Sequence, residues 1–279
     1  MNTMRIIDIE KALIKRYRNV LWRPFIRAIT EFDLIQENDK IAVCISGGKD
    51  SLLLAKLFQE LHRHGQYKFE LEFIAMNPGY SEENLQALKE NAEKLDIPLI
   101  IRDSNIFEAA EKMNRDYPCY LCARMRRGFL YQFAKDLGCN KIALAHHFND
   151  VIETTLLNVL YGGTFSTMLP KLKATNFEGM ELIRPMVYIK EANIIRWIKF
   201  TKLNAMACGC RVTQENLPSK RREMKELIAN LKQIHDNVDI SIFRSAQNVN
   251  MNTILGWQKD GKKESFLDYY EESQNIDDE

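Results

Sequence analysis

Three short strings in this chain combine residue types at spacings that could do chemistry. The first is Ser46-Gly47-Gly48-Lys49-Asp50-Ser51, set between the apolar run Ile41–Ile45 and the leucines 52, 53, 54, 57 and 61. A strand that ends in a glycine turn and opens a helix offers unpaired N–H groups and a positive dipole end, and glycine lets that backbone approach a ligand. Ser46, Ser51 and Lys49 add donors, so the string reads as a phosphate cradle. It is not a Walker A loop, because Asp50 follows Gly48-Lys49 and no glycine lies five positions before Gly48. No third glycine follows, which excludes a dinucleotide fingerprint. The bland alternative is a surface turn that binds nothing.

The second string is Pro118-Cys119-Tyr120-Leu121-Cys122, followed by Arg124, Arg126 and Arg127. Two thiols three apart at a helix start can grip one metal centre, and the helix N-terminus favours thiolate. A zinc deaminase would need an upstream His-x-Glu, a c-type haem a histidine at Ala123, and a zinc ribbon a second Cys-x-x-Cys nearby; none is present. The usual strand-then-helix setting of a thioredoxin motif at the chain start is also missing. Cys208 and Cys210 form a later pair, whereas Cys44 and Cys139 read as structural. In a third string, His146-His147-Phe148-Asn149-Asp150-Val-Ile-Glu153-Thr154, the residues Asp150, Glu153 and Thr154 share one helical face. An acidic residue here could hold Mg²⁺ on phosphates, and for Asp150 simple N-capping is the competing role.

These strings need elements to position them. Strands are expected over 41–45, 68–76, 98–102, 141–145 and 181–185. Helices are expected over 6–35 (interrupted near Arg23-Pro24), from 52, 81–95, 105–113, from 146, 191–202 and 219–230. Their alternation argues a doubly wound, mostly parallel α/β sheet with flanking helices, whose ligands sit beyond the carboxyl ends of the strands. The domain reading is a basic helical segment (1–38), an α/β body (39–205), a cysteine-bearing helical segment (206–255) and a mobile acidic tail (256–279).

The first string, straight after its strand, resembles the PP-loop of the N-type ATP pyrophosphatases. In the same order come Pro-Cys-x-x-Cys with Ala-Arg-Met-Arg-Arg-Gly, His-His-x-x-Asp, a Tyr-Gly-Gly turn, an Arg-Pro strand and a late cysteine pair. Together these resemble the tRNA 2-thiocytidine synthetase family over roughly residues 20–255. The resemblance implies an adenine nucleotide alpha hydrolase-like fold and ATP cleavage between the α- and β-phosphates. It implies ATP binding by Ser46 to Ser51, His147 and the backbone near Ala75, Met76 and Asn77. Catalytic roles fall on Asp50, Asp150, Cys119 and Cys122, with Mg²⁺ on the phosphates. A [4Fe-4S] cluster would be held by Cys119, Cys122 and Cys208, with Cys210 the alternative third ligand, because the expected late Cys-x-x-Cys is here Cys208-Gly209-Cys210. Three thiolates leave one iron open to a sulfur species. Arg124, Arg126, Arg127, Lys220, Arg221 and Arg222 would hold tRNA, although for each a solvated basic face is an equal reading. The expected partners are tRNA, a sulfur donor such as a cysteine desulfurase or free sulfide, and a second copy of the chain. Thiolation of a uridine, a sulfur-free ligase of lysidine synthetase type, and a nucleotide-regulated redox or metal sensor are the alternatives.

Composition is ordinary for a soluble globular protein. Of 279 residues 46% are hydrophobic and 28% charged, with no run of about 18 apolar residues and no signal-peptide core, so a cytoplasmic protein without a membrane segment is expected. Net charge is +1, but the last sixteen residues hold seven acids and no Lys or Arg. The remaining body carries 39 basic against 31 acidic residues, which suits a polyanionic partner. Seven Lys or Arg fall in residues 1–30, interleaved with Tyr17, Trp22 and Phe25.

Overall fold

The computed structural model describes residues 4–65, 67–106, 118–206 and 220–270, with the backbone but not the side chains of 118–123. Its centre is a six-stranded sheet in the order β3-β2-β1-β4-β6-β5. The strands are β1 Lys40–Cys44, β2 Glu70–Asn77, β3 Leu99–Asp103, β4 Lys141–Ala143, β5 Lys171–Lys173 and β6 Glu181–Ile183. All neighbours pair in parallel except β5, which runs antiparallel to β6 and closes one edge. The chain winds outward from β1 through β2 to β3, then returns to place β4 on the other side of β1. The order therefore reverses between β1 and β4, and that is where the loops part to leave a crevice.

Helices cover both faces. They are α1 Ile6–Ile14, α2 Arg23–Glu31, α3 Lys49–His64, α4 Glu82–Lys94, α5 Pro118–Asp136, α6 Phe148–Leu160, α7 Glu191–Thr201, α8 Lys220–Ile234 and α9 Val238–Ser245. In α3 every residue from Ser51 to Leu61 is buried, since the sheet covers one side and the N-terminal segment and α7 cover the other. That explains leucines all around this helix instead of along one stripe. On the opposite sheet face, Tyr131, Phe133 and Ala134 of α5 pack with Ala42, Cys44, Ile74, Ile142 and Leu182. Burial raises the Cys44 thiol well above its usual range and pushes Cys139 up to about 11, so both stay protonated within the core.

Several sequence expectations shift. The N-terminal helix is interrupted ahead of Arg23-Pro24, near the expected place. It ends at Ile14, passes through a π-helical turn at Arg18–Trp22, and restarts with Pro24 in the first turn of α2, where the missing N–H has no partner to lose. Residues 256–265, expected as the start of a mobile tail, form an antiparallel hairpin of β7 Gly256–Lys259 and β8 Lys262–Ser265, followed by a short 3₁₀ turn. The helix expected over 105–113 lies almost wholly outside the described residues. No described helix is long and apolar enough to cross a membrane.

The N-terminal segment is fastened to α3 by a buried charge. Lys56 is fully buried, with its ammonium 2.9 Å from Glu10 of α1 and 3.4 Å from the Leu95 carbonyl; burial lowers its pKa, and Glu10 opposes that. Removing Glu10 would strand an unpaired ammonium, which costs about 3–5 kcal/mol, whereas apolar replacement of a buried pair is often neutral. We expect Glu10→Ala to lower the urea midpoint sharply and the paired Glu10→Leu/Lys56→Met change to restore most of it. Equal, small shifts in both would show that the pair contributes nothing.

Candidate active site

The glycine turn sits at the carboxyl end of β1, on the β1/β4 side of the crevice. Gly47 has φ +79°, which only glycine adopts without strain, and a Cβ there would lie 2.4 Å from Met206 Sδ. Gly48 differs. Its backbone is extended, and an added Cβ would meet nothing closer than 3.5 Å, so the fold itself leaves room for a side chain. Ser51 Oγ accepts from Ser46 N–H (3.1 Å) and donates to the Gly48 carbonyl (2.9 Å), while Gly48 N–H reaches Ser46 Oγ at 3.4 Å. The two serines thus hold the turn from inside. The first N–H groups of α3 remain aimed outward with the positive end of the helix dipole.

Lys49 leans back over the turn, with Nζ 3.0 Å from Asp50 Oδ2 and 3.2 Å from Glu191 Oε1. Burial opposes its charge, but Asp50 and Glu191 together hold its pKa above the usual lysine value. Asp50 Oδ1 is buried without a hydrogen-bond partner, and the nearest cationic candidate, His147 Nε2, is 3.7 Å away. A buried carboxyl oxygen left bare in this way is a ready position for a cation.

From the other side of the crevice, α6 delivers the third string. Asp150 Oδ2 accepts the His147 backbone N–H at 2.9 Å, the reach-back of an N3 residue to the N-cap in a capping box. Its other oxygen accepts from Arg221 at 3.1 Å, and the same guanidinium reaches Thr154 Oγ1 at 3.4 Å and lies 4.0 Å from Glu153. The acidic face and one of the candidate RNA-binding cations therefore meet each other. Glu153 is pushed up to about 7 by burial and by Asp150. Lys220 pairs with Glu223 at 3.2 Å and covers the Tyr161 ring, while Arg124 and Arg127 lie exposed on α5 and Arg126 is half-buried.

On β2, the register ends with Cys44 opposite Ile74, and the Ile74 carbonyl accepts from Ile45 N–H. Strand alternation then turns the Met76 N–H and C=O to the same side, beyond the last β1 pairing. Asn77 is engaged: its carbonyl accepts from Ser104 N–H and its side-chain oxygen from Gly79 and Tyr80. Of the three residues named for adenine, Met76 is the one whose backbone faces the crevice, and Ala75 is core.

Some site residues carry little sequence signal. Glu191 binds both Lys49 and Lys225 (2.6 Å), yet it reads only as a helix start. Arg184, nearly buried at the end of β6, donates to His146 Nδ1 at 3.2 Å and to the Leu169 carbonyl. His146 then carries its proton on Nε2, and burial with Arg184 holds it neutral, its pKa pushed down to about 4. Met206 N–H donates to the Gly47 carbonyl at 2.9 Å, and Asn91 Nδ2 to the Asn204 carbonyl at 2.6 Å, so the segment before Cys208 is tied to the turn. Cys119 and Cys122 lie in the first turns of α5, and nothing further is described of their side chains; Cys208 and Cys210 lie outside the described residues. Among the described residues no group of three or more His, Cys, Asp or Glu side chains is arranged to hold a metal ion.

Residues 21–207 match the PP-loop domain family. The chain is 34% identical over 254 residues to the tRNA-cytidine(32) 2-sulfurtransferase of Pelobacter propionicus, covering 90% of this chain and 92% of that protein. It is 38% identical over 241 residues to the protein of the same name from Syntrophotalea carbinolica, covering 82% and 88%. Among solved structures, the U34-tRNA thiolase NcsA from Methanococcus maripaludis with its [4Fe-4S] cluster superposes with a TM-score of 0.64 at 23% identity, over 81% of this chain and 76% of that one. At that identity the likeness concerns the fold. The matched sequence and the switch-point loop together show that this chain belongs to the tRNA-cytidine(32) 2-sulfurtransferase family of PP-loop proteins.

Proposed function

We propose that this protein is an ATP-dependent tRNA sulfurtransferase that adenylates the C2 carbonyl oxygen of a cytidine in the anticodon loop and replaces that oxygen with sulfur. The observation that carries the reading is the glycine turn at the switch point, with the segment leading to Cys208 hydrogen-bonded to it, in a chain whose relatives bear that name. A pyrimidine carbonyl oxygen is a poor leaving group. Attack of that oxygen on the α-phosphorus of ATP expels pyrophosphate and leaves the base joined to AMP. Sulfur at the sulfide level, as hydrosulfide, then attacks C2 and loses its proton, and AMP departs with the original oxygen.

The chain supplies the electrostatics. The Gly47–Gly48 turn and the α3 N-terminus hold the departing pyrophosphate, with Lys49 exchanging Asp50 and Glu191 for phosphate oxygens. The Met76 backbone offers one N–H and one C=O to adenine. Asp50, through its bare Oδ1, and Asp150 are the residues that would hold Mg²⁺, which neutralises charge on the phosphates. Cys119, Cys122 and either Cys208 or Cys210 would hold a [4Fe-4S] cluster, whose open iron supplies a place for sulfur. Neutral His146 presents its Nε2–H as a donor at the carboxyl end of β4. Arg124, Arg126 and Arg127 take tRNA phosphates, and Lys220, Arg221 and Arg222 join them once α8 releases its acidic partners. The sulfur donor is a cysteine desulfurase or free sulfide, the working assembly a homodimer, and the compartment the cytoplasm.

The test is two-part. Total tRNA from a deletion strain should lack 2-thiocytidine, and the wild-type gene should restore it while Cys119→Ala does not. A missing thiouridine instead would move the substrate to uridine, and a full thionucleoside complement would remove the sulfur reading in favour of a ligase. Protein purified without oxygen should carry about four iron and four sulfide per chain, lost in Cys119→Ala, Cys122→Ala and only one of Cys208→Ala and Cys210→Ala. Zinc, or no metal, would remove the cluster.

The two glycines should separate fold from function. Gly48→Ala has room within the protein, so we expect ordinary thermal stability with ATP affinity lowered about tenfold or more, because the added methyl occupies the phosphate approach. Gly47→Ala should lose stability as well, by roughly 1 kcal/mol or more for a strained positive φ. Retained ATP affinity in Gly48→Ala would place the phosphates elsewhere.

A further inference from the structure

A groove of about 500 Å³ lies where α2, α9 and the loop before α7 meet. It adjoins the candidate site through the chain itself. Phe148 in its wall follows His147, which faces Asp50, and Lys190 precedes Glu191, which binds Lys49.

The floor is aromatic and internally satisfied. Phe148 stacks on Phe243 with ring centres 5.0 Å apart, and Tyr188 tilts against Phe243 at 5.4 Å. Lys190 lies over Phe148 and Arg27 over Tyr188, at 5.3 and 4.1 Å. No ring face is left to sandwich a base. The rim is cationic, with Arg23, Arg27, Lys190 and Arg244, and no carboxylate lines it. Lys190 is balanced by Asp239 (2.8 Å) and Arg27 by Glu31 (2.8 Å). Arg23 and Arg244 are exposed, and among the described residues neither guanidinium has a hydrogen-bond or ion-pair partner. Asn19 adds a neutral donor beside them.

Free guanidinium groups along an open groove lined by no carboxylate complement a chain of phosphates, not a nucleobase. We propose that this groove seats the sugar-phosphate backbone of the tRNA strand flanking the modified base, and so leads that strand into the adenylation site. This rests on the tRNA sulfurtransferase reading. The binding is sequence-independent, and specificity for the modified base arises elsewhere.

The experiment compares intact wild-type protein, Arg23→Glu/Arg244→Glu and Arg23→Lys/Arg244→Lys. Fluorescence anisotropy with a labelled anticodon stem-loop RNA is measured across a salt series, with ATP affinity and melting temperature alongside. The Glu variant should bind RNA about tenfold or more weakly. Its log Kd against log salt should be shallower by roughly 1.4–1.8, since each phosphate contact contributes about 0.7–0.9. ATP affinity and melting temperature should not change, and the Lys variant should bind nearly as wild type. An unchanged RNA affinity and salt slope in the Glu variant would overturn the proposal, including the case in which the acidic residues 271–279 occupy the groove. Wild-type protein that binds RNA through Arg23 and Arg244 but never yields 2-thiocytidine would sink the sulfurtransferase reading and leave the groove standing. Thiolating protein indifferent to both arginines would do the reverse.

Discussion

The hydrogen bond from Met206 N–H to the Gly47 carbonyl is the contact on which the site is built. Gly47 must hold a positive φ for the chain to turn out of β1 and into α3 with its N–H groups facing outward. Met206 fixes that peptide from outside, and the Ser46–Ser51 pair fixes it from inside. A single neutral hydrogen bond contributes only about 1 kcal/mol to stability. Its importance is positional, because it links the end of β1 to a segment reached only after the whole sheet has been laid down. The turn is therefore completed by tertiary structure and not by its own sequence. The same contact draws the chain ahead of Cys208 to the edge of the phosphate cradle.

Charge in the crevice is arranged as an exchange. Asp50, Asp150, Glu153 and Glu191 converge from two sides, opposed by Lys49, Arg221 and Lys225. Two unit charges about 4 Å apart interact by roughly 4 kcal/mol at the effective dielectric of a protein surface. The carboxylates therefore cannot all stay ionised without these cations, and Glu153, which has the weakest of the pairings, is the one pushed up to about 7, by burial first. In the proposed reaction a triphosphate, denser in negative charge than any single carboxylate, would draw Lys49 away from these acids. In the same proposal a divalent cation would gain at the carboxylates left behind. Substrate and metal together can substitute for the internal ion pairs with little net change in charge.

The parallel order of the sheet, the switch point and the glycine turn that opens α3 were legible because each has a local signature: β-branched runs, a Gly-Gly pair and an acid at the start of α6. What could not be read are partnerships across the sequence. Glu191 and Lys49 are 142 positions apart, and nothing in the helix start at Glu191 marks it as a site residue. Arg221 reads as a surface cation until α8 is seen to dock on α6, and Asp150 proves to cap its helix and bind that arginine at once. The interruption near Arg23-Pro24 was legible because proline forbids a helix interior but suits a first turn. The hairpin at 256–265 was hidden by the acidic composition around it.

Distance along the chain also explains why a basic N-terminal segment belongs to this fold. The apolar side of α3 away from the sheet has to be covered, and α1 and α2 cover it through the Glu10–Lys56 pair and the Phe25–Phe58 edge contact at 5.5 Å. Because α3 is the helix that begins at the glycine turn, α2 is held in register with the phosphate cradle. Its outer face carries Arg23 and Arg27, opposite Lys190 at the head of α7. A helix recruited to bury leucines thereby sets cations at a fixed offset from the glycine turn. A shift of α2 along α3 would uncover apolar surface, worth about 25 cal/mol per Å², and would break a buried charge pair. Those two penalties keep the groove and the cradle rigidly related.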